Sequence, residues 1–376
     1  MDLFDYVSWR GDLSFSAAAF NSVDALILCQ LSYLDFGGIA GADFKSRISL
    51  CEAADKFACD RFEERKNLGL LINPKTVELL FVCAASERFG SLQLTGWRNS
   101  YSKKEEEQFS AVTFLCTEKK SRFAFEAFRG TDDTIIGWKE DFNLAFMSEV
   151  KAQKDSLSYL EESIKSLKGY EHFCGGHSKG GNLAVFAGAR LNPKLQKNLK
   201  RIYNFDGPGF LKSTLEQENF AAALKKTFSY FPEESVVGMF FEHDGNFKVL
   251  KSNAKSLMQH DPITWQTQAE DFELCEKLAE SSIFLNRVFN EWFVALSIEK
   301  REQFVEVLFG ALESTQASTN SELAENLAKT GIQVIKSFTK LDKDIRGSAL
   351  DSAMQFLKLA GHHLPEYLKI SLKSYF

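Results

Sequence analysis

The chain has 376 residues, 26% of them charged and 44% hydrophobic, close to the globular averages of roughly 25% and 45–50%. That balance excludes a disordered chain, a collagen and a coiled-coil rod, and the length suggests two domains or one large one with additions. A formal net charge of −6, with no strong basic run, speaks against sequence-independent nucleic-acid binding, which needs a basic stripe.

No uncharged apolar stretch approaches the ~18 residues of a membrane span. The N-terminus carries Asp2 and Asp5 where a secretory leader carries Lys or Arg. A soluble, cytoplasmic protein is therefore expected. The seven cysteines are widely spaced without a Cys-x-x-Cys. This argues against a disulfide framework or a cysteine zinc site and for small buried hydrophobes. Phenylalanine is the outlier at 35 residues, which signals a large aromatic core or an apolar cleft beyond what a core needs.

Residues 1–105 read as a mostly helical N-terminal part or cap. Leu26, Ile27, Leu31 and Leu34 recur at helical spacing, and Asn73-Pro74 opens a second helix with proline near its first turn. Residues 106–265 alternate strand and helix patterns. Strands are expected at Ala111–Cys116, Phe123–Phe128, Glu171–Cys174, Arg201–Phe205 and Val236–Phe241. Helices are expected at Ser156–Leu167, Lys179–Arg190 and Ser213–Lys226. The first two strands read as a hairpin or as neighbours. The alternation implies an α/β fold with a mostly parallel central sheet covered by helices. Residues 266–376 read as a helical C-terminal extension. Ser314–Ser321 is a polar linker and Thr319-Asn-Ser-Glu322 a capping box. Leu327, Gly331, Val334, Ile335 and Phe338 form one apolar stripe, and Leu350, Met354 and Leu357 another. Such stripes are expected to be core; a homodimer face or a lid over a cleft is the alternative.

The segment that carries chemistry is Phe173-Cys-Gly-Gly-His-Ser-Lys-Gly-Gly-Asn-Leu-Ala184. Gly176-His177-Ser178-Lys179-Gly180 fits G-x-S-x-G, with a strand before it and a helix after it. The turn is too sharp for side chains two residues either side of the serine. Its strained backbone lifts the Ser178 hydroxyl off the sheet, and the following helix aims its N–H groups at charge developing there. The elbow is thus Gly176, His177 and Gly180 around a Ser178 nucleophile. The other reading is a glycine-rich turn that no longer catalyses. No phosphate loop and no dinucleotide fingerprint occurs. His243-Asp244 and His260-Asp261 lack the further ligands a metal phosphohydrolase needs, so neither a metal nor a cofactor is expected.

Phe128-Arg-Gly-Thr131, then Trp138-Lys-Glu-Asp141, then Gly-His-Ser-Lys-Gly-Gly-Asn-Leu-Ala resembles the class 3 (fungal-type) lipase branch of the α/β hydrolases over residues 110–265. The whole chain resembles an uncharacterised bacterial family with that core, sharing Phe4-Asp-Tyr-Val-Ser-Trp-Arg-Gly-Asp12 and Gln259-His-Asp-Pro262 with Trp265. The resemblance implies an α/β-hydrolase fold with oxyanion donors at Thr131 and at the N–H of Lys179.

In that fold an acid and a histidine follow the serine. Asp244, in the loop after the expected strand Val236–Phe241, is the first choice of acid. Asp206, in an Asp-Gly-Pro-Gly setting, is the rival. His260, 16 residues beyond Asp244, is the expected base. His243 is the alternative, made awkward by its adjacency to Asp244. His172 and His177 precede the serine, and His362-His363 reads as surface or a helix end. Lys179 stands where the lipases carry an apolar residue; its charge meets an anionic substrate or reaches solvent.

The expected function is a serine hydrolase of the esterase, lipase or lysophospholipase type. Its partner is a small-molecule ester or lipid, with transient contact at a membrane surface left open. The alternatives are an acyltransferase or peptidase on the same triad, or an inactive binding protein.

Overall fold

The computed structural model describes residues 1–313 and 343–373, apart from 70, 103, 105, 133, 135, 136, 138, 141, 142, 144–146 and 148. Among these, nine strands form one sheet in chain order. They are β1 (Ile48–Ser49), β2 (Gln93–Ser102), β3 (Glu107–Glu118), β4 (Ser121–Phe128), β5 (Glu171–His177), β6 (Leu199–Phe205), β7 (Thr227–Pro232), β8 (Phe247–Leu250) and β9 (Leu274–Cys275). β1 to β4 run antiparallel to their neighbours. β4 to β8 run parallel, and β9 closes the far edge antiparallel to β8. The fold is mixed α/β, with a sheet parallel at its centre.

Period-2 alternation splits each central strand between two cores. Val112, Phe114 and Cys116 of β3 and Phe123, Phe125 and Ala127 of β4 face one core. Ala111 and Leu115, with Ala124 and Phe128, face the other. The first core is covered by N-terminal helices, chiefly Ser22–Leu31. That helix opens on a capping box between Asn21 and Asp24, which satisfies its first free N–H groups. Asp24 also receives the fully buried guanidinium of Arg88, whose Nε–H donates to Asp24 Oδ1 at 2.7 Å. The second core lies under the helices Lys151–Ser166 and Lys179–Arg190.

The N-terminal third is therefore less helical than its sequence suggests. β2 lies within it, and its alternation is broken by a bulge between Thr95 and Arg98. Gly96 there has φ +65° beside the Phe44 ring. Further on, the helix expected over Ser213–Lys226 is two short ones, Lys212–Leu215 and Glu218–Leu224. The strand that follows is Thr227–Pro232, not Val236–Phe241, which contains a single 3-10 turn.

In the C-terminal region, helices Glu280–Ala295 and Lys343–Lys373 pack around Trp292. The Trp292 Nε1–H donates to the Ser352 carbonyl at 2.7 Å. The face turned inward runs through Ala349, Ser352, Phe356 and Leu359. Leu350, Met354 and Leu357, one position round the helix, are exposed rather than core. The linker, capping box and stripe expected between 314 and 338 lie outside the described residues. No described helix is long and apolar enough to cross a membrane.

A buried ion pair ties β4 and β5 to the covering helix. Glu126 accepts from Ser163 Oγ at 2.6 Å and meets His172 Nδ1 at 2.8 Å. Burial pulls the imidazole pKa down, but the Glu126 charge and hydrogen bond outweigh it, and the value is raised. The pair's contribution is fully present below the unfolded histidine pKa of about 6.5. It is lost as pH rises through the higher folded value. The difference in urea midpoint between wild type and His172→Gln is therefore expected to narrow as pH is raised from 6 to 9.

Candidate active site

β5 ends at His177, and the helix Lys179–Arg190 begins two residues later. Ser178 is the whole turn. Its backbone has φ 58° and ψ −134°, a conformation that a non-glycine residue holds only when its surroundings enforce it. The Ser178 N–H donates to the Phe205 carbonyl of β6 at 2.9 Å, and its own carbonyl accepts from Gly181 N–H at 2.9 Å. The helix start lies directly against strand ends: a Cβ at Gly176 would strike the Gly180 backbone, and one at Gly180 the Phe128 carbonyl. Both glycines are required by space, as the motif implies.

The next parallel strand places a carboxylate beside this turn. Asp206 follows β6, fully buried and at φ 50°. Its Oδ2 accepts from His260 Nδ1–H at 2.6 Å, and its Oδ1 from the Ser235 hydroxyl at 2.5 Å. The loop after Asp206 is held by Asn182 of the elbow helix, whose Nδ2 donates to the carbonyls of Pro208 and Gly209. The His260 loop is pinned equally well. Trp265 Nε1–H donates to the Gln259 carbonyl at 2.7 Å, Gln259 Oε1 accepts from Glu234 N–H at 2.8 Å, and Asn73 Nδ2 donates to Asp261 Oδ2 at 2.6 Å.

Asp244 is not part of this arrangement. It is exposed, and its Oδ1 accepts from Asn246 N–H in a local turn. The reason is the strand correction above. Because Val236–Phe241 is not a strand, no sheet end delivers Asp244, whereas β6 delivers Asp206. His243 is also elsewhere. It donates from Nε2 to the Gly238 carbonyl between the rings of Phe231 and Phe247, and burial lowers its pKa.

The Lys179 side chain is buried and does not reach solvent. Its buried Nζ donates to Glu140 Oε2 at 3.0 Å and to the Gln108 carbonyl at 3.0 Å. Glu140, also buried, accepts backbone N–H bonds from Gln108 and Ala152. This ion pair clamps the elbow helix to β3 and to the helix Lys151–Ser166. Arg129 pairs with Asp132 at 3.2 Å. Trp138 and Asp141 lie outside the described residues.

A cavity of about 250 Å³ opens on Ser178 and His260. Thr131, His177 and Lys179 border it beside the serine. Its outer wall is aromatic: Phe240 stacks on Phe289 at 4.3 Å, and Phe241 meets Phe293 at 5.4 Å. Phe289 and Phe293 come from helix Glu280–Ala295, so the C-terminal region builds part of the site. Leu71, Leu257 and Met258 form an exposed apolar rim.

A serine on a strained strand-to-helix turn, with an aspartate–histidine pair from the following loops, is what the matched family profile spans: residues 83–310, under the description Mbeg1-like. The chain belongs to the Mbeg1-like family. That family is lipase-like. No curated protein and no solved structure matches the chain.

The Mbeg1-like site contains residues that sequence reasoning did not single out: Ser235, Glu140 and Tyr33. Ser235 and Tyr33 sit in no motif, and Glu140 fills an unspecified position of Trp138-Lys-Glu-Asp141. Each is brought in by a loop or helix whose path the sheet decides. Among the described residues no three His, Cys, Asp or Glu side chains gather as a metal site. The Lys179–Glu140 clamp makes a stability prediction. Glu140→Gln leaves a buried ammonium with no ionised partner at Glu140, and breaking such a pair costs about 3–5 kcal/mol. Urea unfolding should show a loss of that order.

Proposed function

We propose that the chain is a serine hydrolase of α/β-hydrolase fold that cleaves carboxylic esters of apolar acids through a Ser178 acyl-enzyme, with His260 as base and Asp206 as acid. The observation that carries this reading is the 2.6 Å bond from buried Asp206 to His260, which borders the same cavity as Ser178. The parallel strand order and the strained turn at Ser178 support the fold assignment.

In this mechanism Ser178 Oγ attacks the ester carbonyl carbon as its proton passes to His260 Nε2. Asp206, bonded to Nδ1–H, fixes the tautomer and stabilises the imidazolium. The backbone N–H groups of Thr131 and Lys179 take the developing oxyanion, each such donor being worth roughly 3–4 kcal/mol in the transition state. His260 then protonates the departing alkoxide. Water, deprotonated by the same imidazole, releases the acid and restores Ser178. Lys179 contributes only its N–H, because Glu140 holds its charge. Among the described residues that border the cavity no other lysine or arginine offers a charge to an anionic substrate, which favours a neutral ester with its acyl group against Phe240, Phe241, Phe289 and Phe293.

A fluorophosphonate probe should label Ser178 in wild type and nothing in Ser178→Ala. A folded wild type that is neither labelled nor active on p-nitrophenyl esters would sink the reading. Asp206→Asn should lower kcat by about 10⁴-fold, the loss expected when the tautomer is no longer fixed, while Asp244→Asn should leave it unchanged. Chain length gives a second check. Each buried CH₂ contributes about 0.8 kcal/mol, or roughly fourfold in kcat/KM. A series from p-nitrophenyl acetate to butyrate should rise accordingly, and Phe289→Ala should flatten it.

A further inference from the structure

The residue before the nucleophile has a part of its own. His177 is buried at the end of β5, with its two ring nitrogens committed to different partners. Nε2 lies 2.8 Å from the backbone carbonyl of His260. A carbonyl only accepts, so Nε2 carries the hydrogen and Nδ1 is left as a lone pair. That lone pair faces the Tyr33 hydroxyl at 3.1 Å, which must donate to it. The His177 and His260 rings face each other with centroids 4.5 Å apart at 38°, and Trp265 meets His177 edge-on at 6.1 Å. Tyr33 closes the set: its hydroxyl also approaches the His177 carbonyl at 3.4 Å. It stands where a Cβ on Gly130, beside Thr131, would have to go.

We propose, building on the Ser178–His260–Asp206 reading, that Tyr33 and His177 form a positioning relay that holds the base over the nucleophile. Asp206 fixes the His260 ring from one side. The His177 N–H fixes its backbone from the other and links the nucleophile turn to a loop more than eighty residues away in sequence. The arrangement demands a neutral His177. Burial, and next the neighbouring His260, hold its pKa well below the ordinary histidine value. A neutral ring does not oppose the positive charge that His260 takes up when it accepts the serine proton. A protonated His177 would, and its Nδ1–H would no longer accept from Tyr33.

The test uses the full chain, p-nitrophenyl butyrate, and active sites counted with a fluorophosphonate, so that kcat is expressed per competent site. His177→Leu is expected to lower kcat about 30- to 100-fold with KM within threefold, the scale of an ångström-level misplacement of a catalytic group. His177→Gln, which returns an N–H near the Nε2 position, is expected to recover most of that loss. Tyr33→Phe, which removes the hydroxyl that donates to Nδ1, is expected to cost about 3- to 10-fold in kcat. A purely structural role predicts lower melting temperatures and fewer competent sites with wild-type kcat per site, and that result overturns the proposal. Should His177→Leu fail to fold, Tyr33→Phe decides alone, unchanged kcat per site again overturning it. An active wild type with unaffected variants removes the relay only. An inactive, unlabelled wild type removes the hydrolase reading and the relay with it.

Discussion

The conformation of Ser178 is the constraint on which the rest of the molecule depends. A non-glycine residue at φ 58° and ψ −134° costs of order 1–3 kcal/mol and persists only when its neighbours over-determine it. Here they do. The β6 carbonyl of Phe205 takes the Ser178 N–H, β4 leaves no room for a side chain at Gly180, and the Gly180 backbone leaves none at Gly176. The Lys179–Glu140 pair then clamps the first residue of the helix. The strain is held by three strands and a buried ion pair. That is why the turn sits at the end of β5, between two parallel neighbours, and not at an edge.

The remaining site geometry follows from strand order. Parallel neighbours end on the same side of the sheet, so the loops after β4, β5 and β6 deliver Thr131, Ser178 and Asp206 side by side. Histidine arrives from a long segment that has no strand of its own to guide it. It is fixed instead by hydrogen bonds from Trp265, Glu234, Asn73 and His177. This division of labour is physically reasonable. Residues at strand ends are positioned by the ladder, whereas a residue on a loop needs its own set of polar anchors.

The phenylalanine excess has two destinations. Most rings fill the layers on either side of the sheet, as in the cluster of Phe15, Phe20, Phe123, Phe125 and Phe173. A smaller set lines the cavity, from the loop around Phe240 and Phe241 and from the C-terminal helix carrying Phe289 and Phe293. The C-terminal region thus supplies part of the cavity wall through Phe289 and Phe293.

By itself the sequence determined the central strand–helix alternation and the elbow with its two space-filling glycines, and it pointed to His260 with His243 left as the alternative. All of these are local: they rest on period, turn sterics and motif spacing within a dozen residues. The tertiary structure decided which aspartate meets His260. Asp206 and Asp244 both precede glycine in turn-like settings, and only knowing that Thr227–Pro232 is the strand and Val236–Phe241 is not shows which one a sheet end carries. It also decided the fate of Lys179, since Glu140 and Gln108 meet it only after β3 and the elbow helix pack together. The hidden strand β2 was lost to a bulge that breaks its alternation. The Tyr33–His177–His260 chain joins segments over two hundred residues apart. Contacts of that range are set by which faces of the sheet the helices cover, and no local pattern records them.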